Sequence, residues 1–167
     1  MVADAIRLML FPAMMAFAAS SDLLTMTISN WVSLILVGGF LTLASASGMS
    51  AADMVSHLAA ASLVLIVAFG FFSRGWIGGG DGKLAAATAL WLGFDHLVPY
   101  LLYASLCGGA LTLLLLQFRR APLPAWVARH EWVQRLHAED GGVPYGIALA
   151  AAALAVYPDT PWMTAAM

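Results

Sequence analysis

Charge is scarce in this sequence. Only 10% of its 167 residues are Asp, Glu, Lys or Arg, where a soluble domain carries about 25%. That is too few to cover a water-facing surface. Cysteine is scarcer still. The single Cys107 can form no internal disulfide and belongs to no CxxC pair that would hold zinc. Inside an apolar run it reads as a small buried side chain. The four histidines have no spacing that suggests a metal site. His57 and His96 fall in connectors on one side of the chain's apolar segments and His130 and His137 in a polar loop on the other, so all four read as solvated. No GxSxG motif occurs, which leaves out the common serine-nucleophile arrangement. A net charge of −2 without a basic stripe gives no ground for nucleic-acid binding, and no cofactor or metal is implied.

What is abundant is apolar surface. Hydrophobic residues make up 62% of the chain and the mean hydropathy is +0.89. Six apolar segments stand out, at about residues 5–20, 31–46, 54–72, 84–94, 97–118 and 143–157. In lipid a backbone must satisfy its own hydrogen bonds, so segments apolar all round read as spanning helices. The expectation is an all-α, polytopic membrane protein of six transmembrane helices, forming one membrane-embedded domain over residues 1–167. The first segment resembles a signal peptide, with Ala16-Phe17-Ala18 as a cleavage-like site. Asp4 beside Arg7 makes a poor positive flank, however, and a retained span is expected.

Charge orients the six segments. Connectors alternate between faces, so 21–30, 73–83 and 119–142 share one side. That side holds Arg74, Lys83, Arg119, Arg120, Arg129 and Arg135, which is all the basic residues except Arg7. The Lys/Arg excess marks the cytoplasmic side, which puts both termini in the periplasm of a bacterial inner membrane. The fourth segment is short: from Asp81 to Phe94 is roughly 21 Å of helix at 1.5 Å per residue, against about 30 Å of hydrocarbon. Either the 76–82 connector before it dips below the surface, next to protein or a water-filled cavity, or the bilayer thins there. In the 119–142 loop, Pro124 can open a helix running to about Glu139. It would gather Ala125, Trp126, Trp132, Val133 and Leu136 opposite Glu131, Gln134 and Arg135, with Arg129 snorkelling from the apolar side. An interfacial amphipathic helix and a solvated loop both fit this stretch.

Most acidic residues lie in outer loops or in the polar loop, where solvation explains them. Asp22 and Asp81 are different. Asp22 ends the first apolar run and Asp81 closes the run Gly78-Gly79-Gly80, and the charge-based topology puts both at the same membrane border. Two neighbouring carboxylates hold a single proton over a working range. One can then take a proton from water while the other donates to a substrate carbonyl, with neither metal nor covalent intermediate. Glycines beside Asp81 allow a tight turn and a close substrate. Plainer roles also fit: Asp81 as a helix N-cap, and Asp22 as a span end in headgroup water.

Three motifs occur in order at matching topological places: Ser21-Asp22-Leu23 through Ile28-Ser29-Asn30, then Gly78-Gly79-Gly80-Asp81-Gly82-Lys83-Leu84, then Val143-Pro144-Tyr145-Gly146-Ile147-Ala148. Together they resemble the type IV prepilin peptidase family, in particular its short form associated with Flp/Tad-type pili. The resemblance implies six spans and an aspartic endopeptidase that cuts leader segments from prepilins or pseudopilins, after a glycine, at the cytoplasmic membrane face. Asp22 and Asp81 would be its catalytic pair. Gly78, Gly80, Lys83, Asn30, Pro144, Tyr145 and Gly146 would be the supporting residues. Lys83 and Arg74 would steady an acidic residue near the mature pilin N-terminus, or simply anchor the positive-inside face. The sequence departs from the family in lacking basic residues after Asp22 and in having Ser29 where a Pro often precedes Asn30. It also lacks the cysteine-bearing methylating domain of long-form relatives, so only peptidase activity is expected. A small transporter or pilus-assembly scaffold using Asp22 and Asp81 as an ion or proton site is the alternative. Such a protein would place ionisable groups near the midplane, often in inverted halves, and neither is visible. A presenilin-like GxGD protease shares the chemistry but would need a longer chain.

Overall fold

Apolar residues without polar company can pair their backbone only along the chain, and the result is helix almost throughout. A computed structural model of the chain describes residues 2–124 and 126–164, with side chains from 8–124 and 126–163. Its helices are α1 (Val2–Thr25), α2 (Asn30–Ala46), α3 (Ala51–Ser73), α4 (Gly79–Arg120), α5 (Glu131–His137) and α6 (Tyr145–Val156). A 3₁₀ turn at Tyr157–Asp159 and α7 (Pro161–Thr164) follow. Among the described residues there is no strand, as the all-α expectation requires. Polar side chains mark the helix starts. The Ser29 hydroxyl accepts from the Trp31 N–H. Ser50 and Asp53 form a reciprocal cap, with the Asp53 N–H donating to Ser50 Oγ and that hydroxyl donating to Asp53 Oδ2.

The two apolar segments at 84–94 and 97–118 are one stretch, α4, broken at Gly93. There φ is 65° and ψ is −175°, a combination essentially only glycine adopts. The break lies just before Asp95 and His96, where charge separates the two segments in the sequence. Breaking a helix leaves the carbonyls of its last turn without partners, and side chains from elsewhere take them. His57 Nδ1 bonds the Leu90 carbonyl at 2.7 Å, and Trp162 Nε1 donates to the Trp91 carbonyl at 2.7 Å. The expectation of a solvated His57 is therefore wrong. The ring is partly buried within α3, against the point where a Gly93 Cβ would be, because a broken helix needs a donor there.

The arm of α4 before the break, residues 79–92, is short because it is surrounded. Residues 86–93 are all buried, packed by α1, α2, α3 and α6. Protein rather than lipid surrounds residues 86–93, so this part of the arm need not match the bilayer's thickness. Trp91 anchors this arm in an aromatic cluster: Phe11 stacks on Tyr157 at 4.4 Å, and Trp91 lies 5.3 Å from Phe11 and 5.2 Å from Trp162. Phe11, Met15 and Ala18 of α1 are fully buried in the same core. The first segment is thus an integral helix of this fold.

Outward faces are apolar as well. Ile66, Phe69, Val98, Leu113 and Leu114 are each at least 65% exposed, which suits lipid and not water. Leu8–Thr25 within α1, Ala51–Ser73 and Gly79–Arg120 are long and apolar enough to cross a membrane, and Asn30–Ala46 and Tyr145–Asp159 are shorter apolar helices.

The connectors gather at two ends. Lys83 meets Asn30, Arg135 Nη2 donates to the Leu24 carbonyl, and Arg119 donates to the carbonyls of Leu136 and Gly142. This brings the 21–30, 73–83 and 119–142 connectors together. At the other end His96 Nε2 bonds the Asp159 carbonyl at 3.1 Å. The polar loop holds less helix than the sequence suggests. Pro124 opens only a turn, accepting from the N–H groups of Val127 and Ala128, and His130 is extended before α5 begins. Val133 and Leu136 bury themselves while Trp126 is 71% exposed. Val133 and Leu136 are the two apolar anchors by which α5 packs. Ala125 lies outside the described residues. His137 packs edge-on against Phe118.

Candidate active site

Asp22 lies in the last turn of α1 and is only 5% exposed. Its Oδ2 accepts from the Gly146 backbone N–H at 2.7 Å. That N–H belongs to the first turn of α6, where backbone donors have no helical partner and the helix dipole favours a negative group. A carboxylate from α1 thus caps α6. Pro144, buried before that helix, supplies the carbonyl for the Ile147 N–H and has no N–H of its own to leave unpaired. A Cβ at Gly146 would stand 2.8 Å from Asp22 Oδ2 and 2.7 Å from Ile28 Cδ1. Only glycine brings the α6 backbone this close.

Asp81 arrives from the opposite direction. The glycine run is the helix start itself: Gly78 is the N-cap of α4 and Asp81 falls in its first turn. Asp81 is therefore not the N-cap itself. Its side chain folds back on Gly78, whose backbone bonds it, much as the third residue of a capping box does. A Cβ at Gly78 would stand 2.7 Å from Asp81 Oδ2, which accounts for the first glycine of the motif. Asp81 Oδ1 is buried and has no hydrogen-bond partner among the described residues. Buried polar atoms are rarely left so. The two carboxyl groups are close enough to interact electrostatically.

Ile28 holds the arrangement together. It lies 3.1 Å from where a Gly80 Cβ would be and 2.7 Å from where a Gly146 Cβ would be, so it wedges the α1–α2 connector between the two glycines. That connector is self-bonded, with Ser21 Oγ donating to the Thr27 carbonyl at 2.9 Å and Thr25 Oγ1 to the Ser21 carbonyl at 2.7 Å. Beside it, Lys83 Nζ donates to Asn30 Oδ1 at 2.8 Å. Gly78 and Gly146 thus adjoin the two aspartates, with Gly80 against Ile28 between them, while Asn30 and Lys83 pair with each other alongside. Tyr145 turns toward the second arm of α4, its ring against Gly108 and its hydroxyl 3.2 Å from Thr112 Oγ1. Arg74 lies over the Trp76 ring at 5.4 Å, a cation–π contact.

The sequence assigns no role to two residues of this neighbourhood, although Ile28 falls within the first motif. Ile28 is one apolar residue among many. Tyr100, fully buried on the second arm of α4, comes within electrostatic reach of Asp81 only because Gly93 turns that arm back along the first. Among the described residues no three His, Cys, Asp or Glu side chains gather.

What the geometry offers is two carboxyl groups at one end of an apolar bundle. One is held by a helix N-terminus and the other has a free, buried oxygen. That is a setting for moving protons to and from a water and a carbonyl. A family model described as the type IV leader peptidase family matches residues 9–113, a stretch that contains Asp22 and the 78–81 motif but ends before Pro144. Among curated proteins no match is found, and among solved structures none is found.

Proposed function

Because the chain belongs to the type IV leader peptidase family, and so cleaves the leader from prepilin-like substrates, we propose that it does so as an aspartic peptidase with Asp22 and Asp81 as the catalytic pair. The observation that carries this reading is the convergence of the two carboxyl groups with one buried oxygen, Asp81 Oδ1, left unpartnered.

With one proton shared between them, the ionised carboxylate takes a proton from water as the water oxygen adds to the scissile carbonyl carbon. The protonated partner gives its proton to the carbonyl oxygen. As the diol collapses and the C–N bond breaks, the now-protonated carboxyl gives its proton to the leaving amine and the ionised one takes a proton from a diol hydroxyl, which restores the shared proton. Gly146 orients Asp22 and Gly78 orients Asp81. Asn30 and Lys83 hold the α1–α2 connector against α4, and Pro144 sets the start of α6.

In this reading α1, α2, α3, the two arms of α4 and α6 are six spans of a single domain. The end bearing Arg74, Lys83, Arg119, Arg120, Arg129 and Arg135 faces the cytoplasm of a bacterial inner membrane, with both termini in the periplasm. The substrate's apolar helix lies in the bilayer and brings its leader junction to the pair. Loss of leader cleavage by folded Asp22→Asn and Asp81→Asn proteins is the test. Asparagine has nearly the same shape but cannot exchange the proton. A transporter or scaffold would instead leave the substrate uncut by the unaltered protein.

A further inference from the structure

Two buried oxygens near the carboxyl pair make no hydrogen bond among the described residues: Asp81 Oδ1 and the hydroxyl of Tyr100. An ionised carboxyl can only accept, and a phenol can donate. Tyr100 is fully buried, and a buried tyrosine ordinarily finds a partner for its hydroxyl.

The packing of α1 against α4 brings the two into one part of the core. Residues seven apart share a helix face, about two turns or roughly 10 Å along the axis. Met15 is seven residues before Asp22, and Thr88 is seven after Asp81. Thr88 is fully buried, and its Oγ1 donates to Met15 Sδ at 3.8 Å. One seam therefore carries the carboxyl pair at its end and this contact further in. Sulfur is a weak acceptor, so the Thr88 hydroxyl is only lightly held. Tyr100 enters the same place from the second arm of α4, beside Thr88 and within electrostatic reach of Asp81.

Other ionisable groups around the first arm are engaged elsewhere. Asp22 of α1 belongs to the pair and accepts from the Gly146 N–H. Lys83 is bonded to Asn30, Arg74 lies over Trp76, and Arg135 of α5 holds the Leu24 carbonyl. On α3, His57 holds the Leu90 carbonyl and Asp53 caps the far end of its helix. α2 has no ionisable side chain. On α6, Tyr145 lies against Gly108, and beyond it Tyr157 stacks on Phe11. Asp95 and His96 lie at the far turn of α4, past Gly93. The Tyr100 hydroxyl is left as the side-chain donor for Asp81 Oδ1.

We propose that Tyr100 is a positioning residue for Asp81: its hydroxyl, joined to Asp81 Oδ1 through buried water that Thr88 also bonds, steadies the ionised carboxyl and sets its direction. A polar link longer than a direct bond is commonly completed by water. Buried water needs about two to four polar partners, and Asp81, Tyr100 and Thr88 are such partners. The carboxylate oxygen keeps a second lone pair for the reacting water. The proposal rests on the leader-peptidase reading and adds to it a residue that acts through Asp81 alone.

The test is Tyr100→Phe in the full chain, which keeps the ring and removes the hydroxyl. The substrate is a synthetic peptide, a leader ending in glycine followed by an apolar helix. On it kcat should fall about tenfold, with KM within twofold of normal. A hydrogen bond to a carboxylate favours the ionised form. Its loss should therefore move the acidic limb of the kcat profile, which reports protonation of the pair, to higher pH by about one unit. Thr88→Val should move the limb the same way, and Thr88→Ser, which keeps a hydroxyl, should not. Tyr103→Phe, exposed on the same arm, should change neither rate nor profile. Infrared difference spectroscopy follows the Asp81 carboxyl without cleavage, its band assigned by loss in Asp81→Asn, and this titration should move with the kinetic limb. A folded Tyr100→Phe protein with the normal rate and profile overturns the proposal, since the ring then serves packing alone. A fall in rate without movement of the limb or the band overturns it as well. If Tyr100→Phe does not fold, equal profiles for Thr88→Val and Thr88→Ser overturn it. If the unaltered protein cuts no such peptide while the Asp81 band still moves in Tyr100→Phe, the link stands and the peptidase mechanism falls.

Discussion

The backbone N–H of Gly146 donates to Asp22 Oδ2 across 2.7 Å, so the first turn of α6 is capped by a carboxylate 124 residues earlier in the chain. This one bond fixes the orientation of Asp22 and the position of α6 together.

Gly146→Ala puts a methyl group against both Asp22 and Ile28 and should break the bond. A hydrogen bond to a charged group is worth about 1.5–3 kcal/mol, so leader cleavage should fall roughly 10- to 100-fold. Gly109→Ala, where an added Cβ meets nothing, should leave cleavage within twofold. Steady-state kinetics on a prepilin-like substrate decides. Equal rates for the two variants would mean that Asp22 does not depend on α6.

Gly93→Ala tests the break in α4. Alanine at φ 65° and ψ −175° is strained by about 1–3 kcal/mol, and its Cβ would stand 2.9 Å from the His57 ring. Unfolding of the purified protein in detergent should show a loss larger than that of Gly48→Ala, which also has positive φ but open space around it. If Gly48→Ala is equally harmful, the His57 contact contributes nothing.

Much of the arrangement was legible in the sequence because charge is so rare in it. Asp22 and Asp81 stand out against apolar neighbours, and the basic connectors sort to one side, the end where the structure gathers them. The short fourth helix was legible from length alone. Gly78 and Gly146 stood out only through the family resemblance, and the contacts they make did not. His57 reads like any histidine near a span end, since its partner is a backbone carbonyl exposed only when α4 breaks at Gly93. Gly146 signals flexibility in a sequence, whereas its role is to bring an N–H to Asp22 from a distant helix. The 124–139 stretch left helix and loop open because its apolar pattern continues through His130, where the backbone is extended. Of the described residues of that pattern, only Val133 and Leu136 are buried.

Topology has its own test. Single cysteines at Ser50 and Asp159 in a Cys107→Ala background should react with an impermeant thiol reagent added from the periplasmic side, and one at Gln134 should not. Gln134 lies in α5, at the basic end, while Ser50 and Asp159 lie at the far ends of α2–α3 and α6. Uniform labelling of all three would exclude six spans with a cytoplasmic site.

The carboxyl pair itself is tested most directly by leader cleavage in Asp22→Asn, Asp81→Asn and the double variant, each first shown to insert and fold. General acid–base assistance is typically worth 10²–10⁴-fold, so each single variant should lose at least that much. The double variant should lose little more, because the two act as one proton-sharing unit. Asp95→Asn, exposed at the opposite end, should cut at the normal rate. A folded Asp81→Asn protein that still releases the leader within tenfold of the normal rate would contradict the aspartic mechanism.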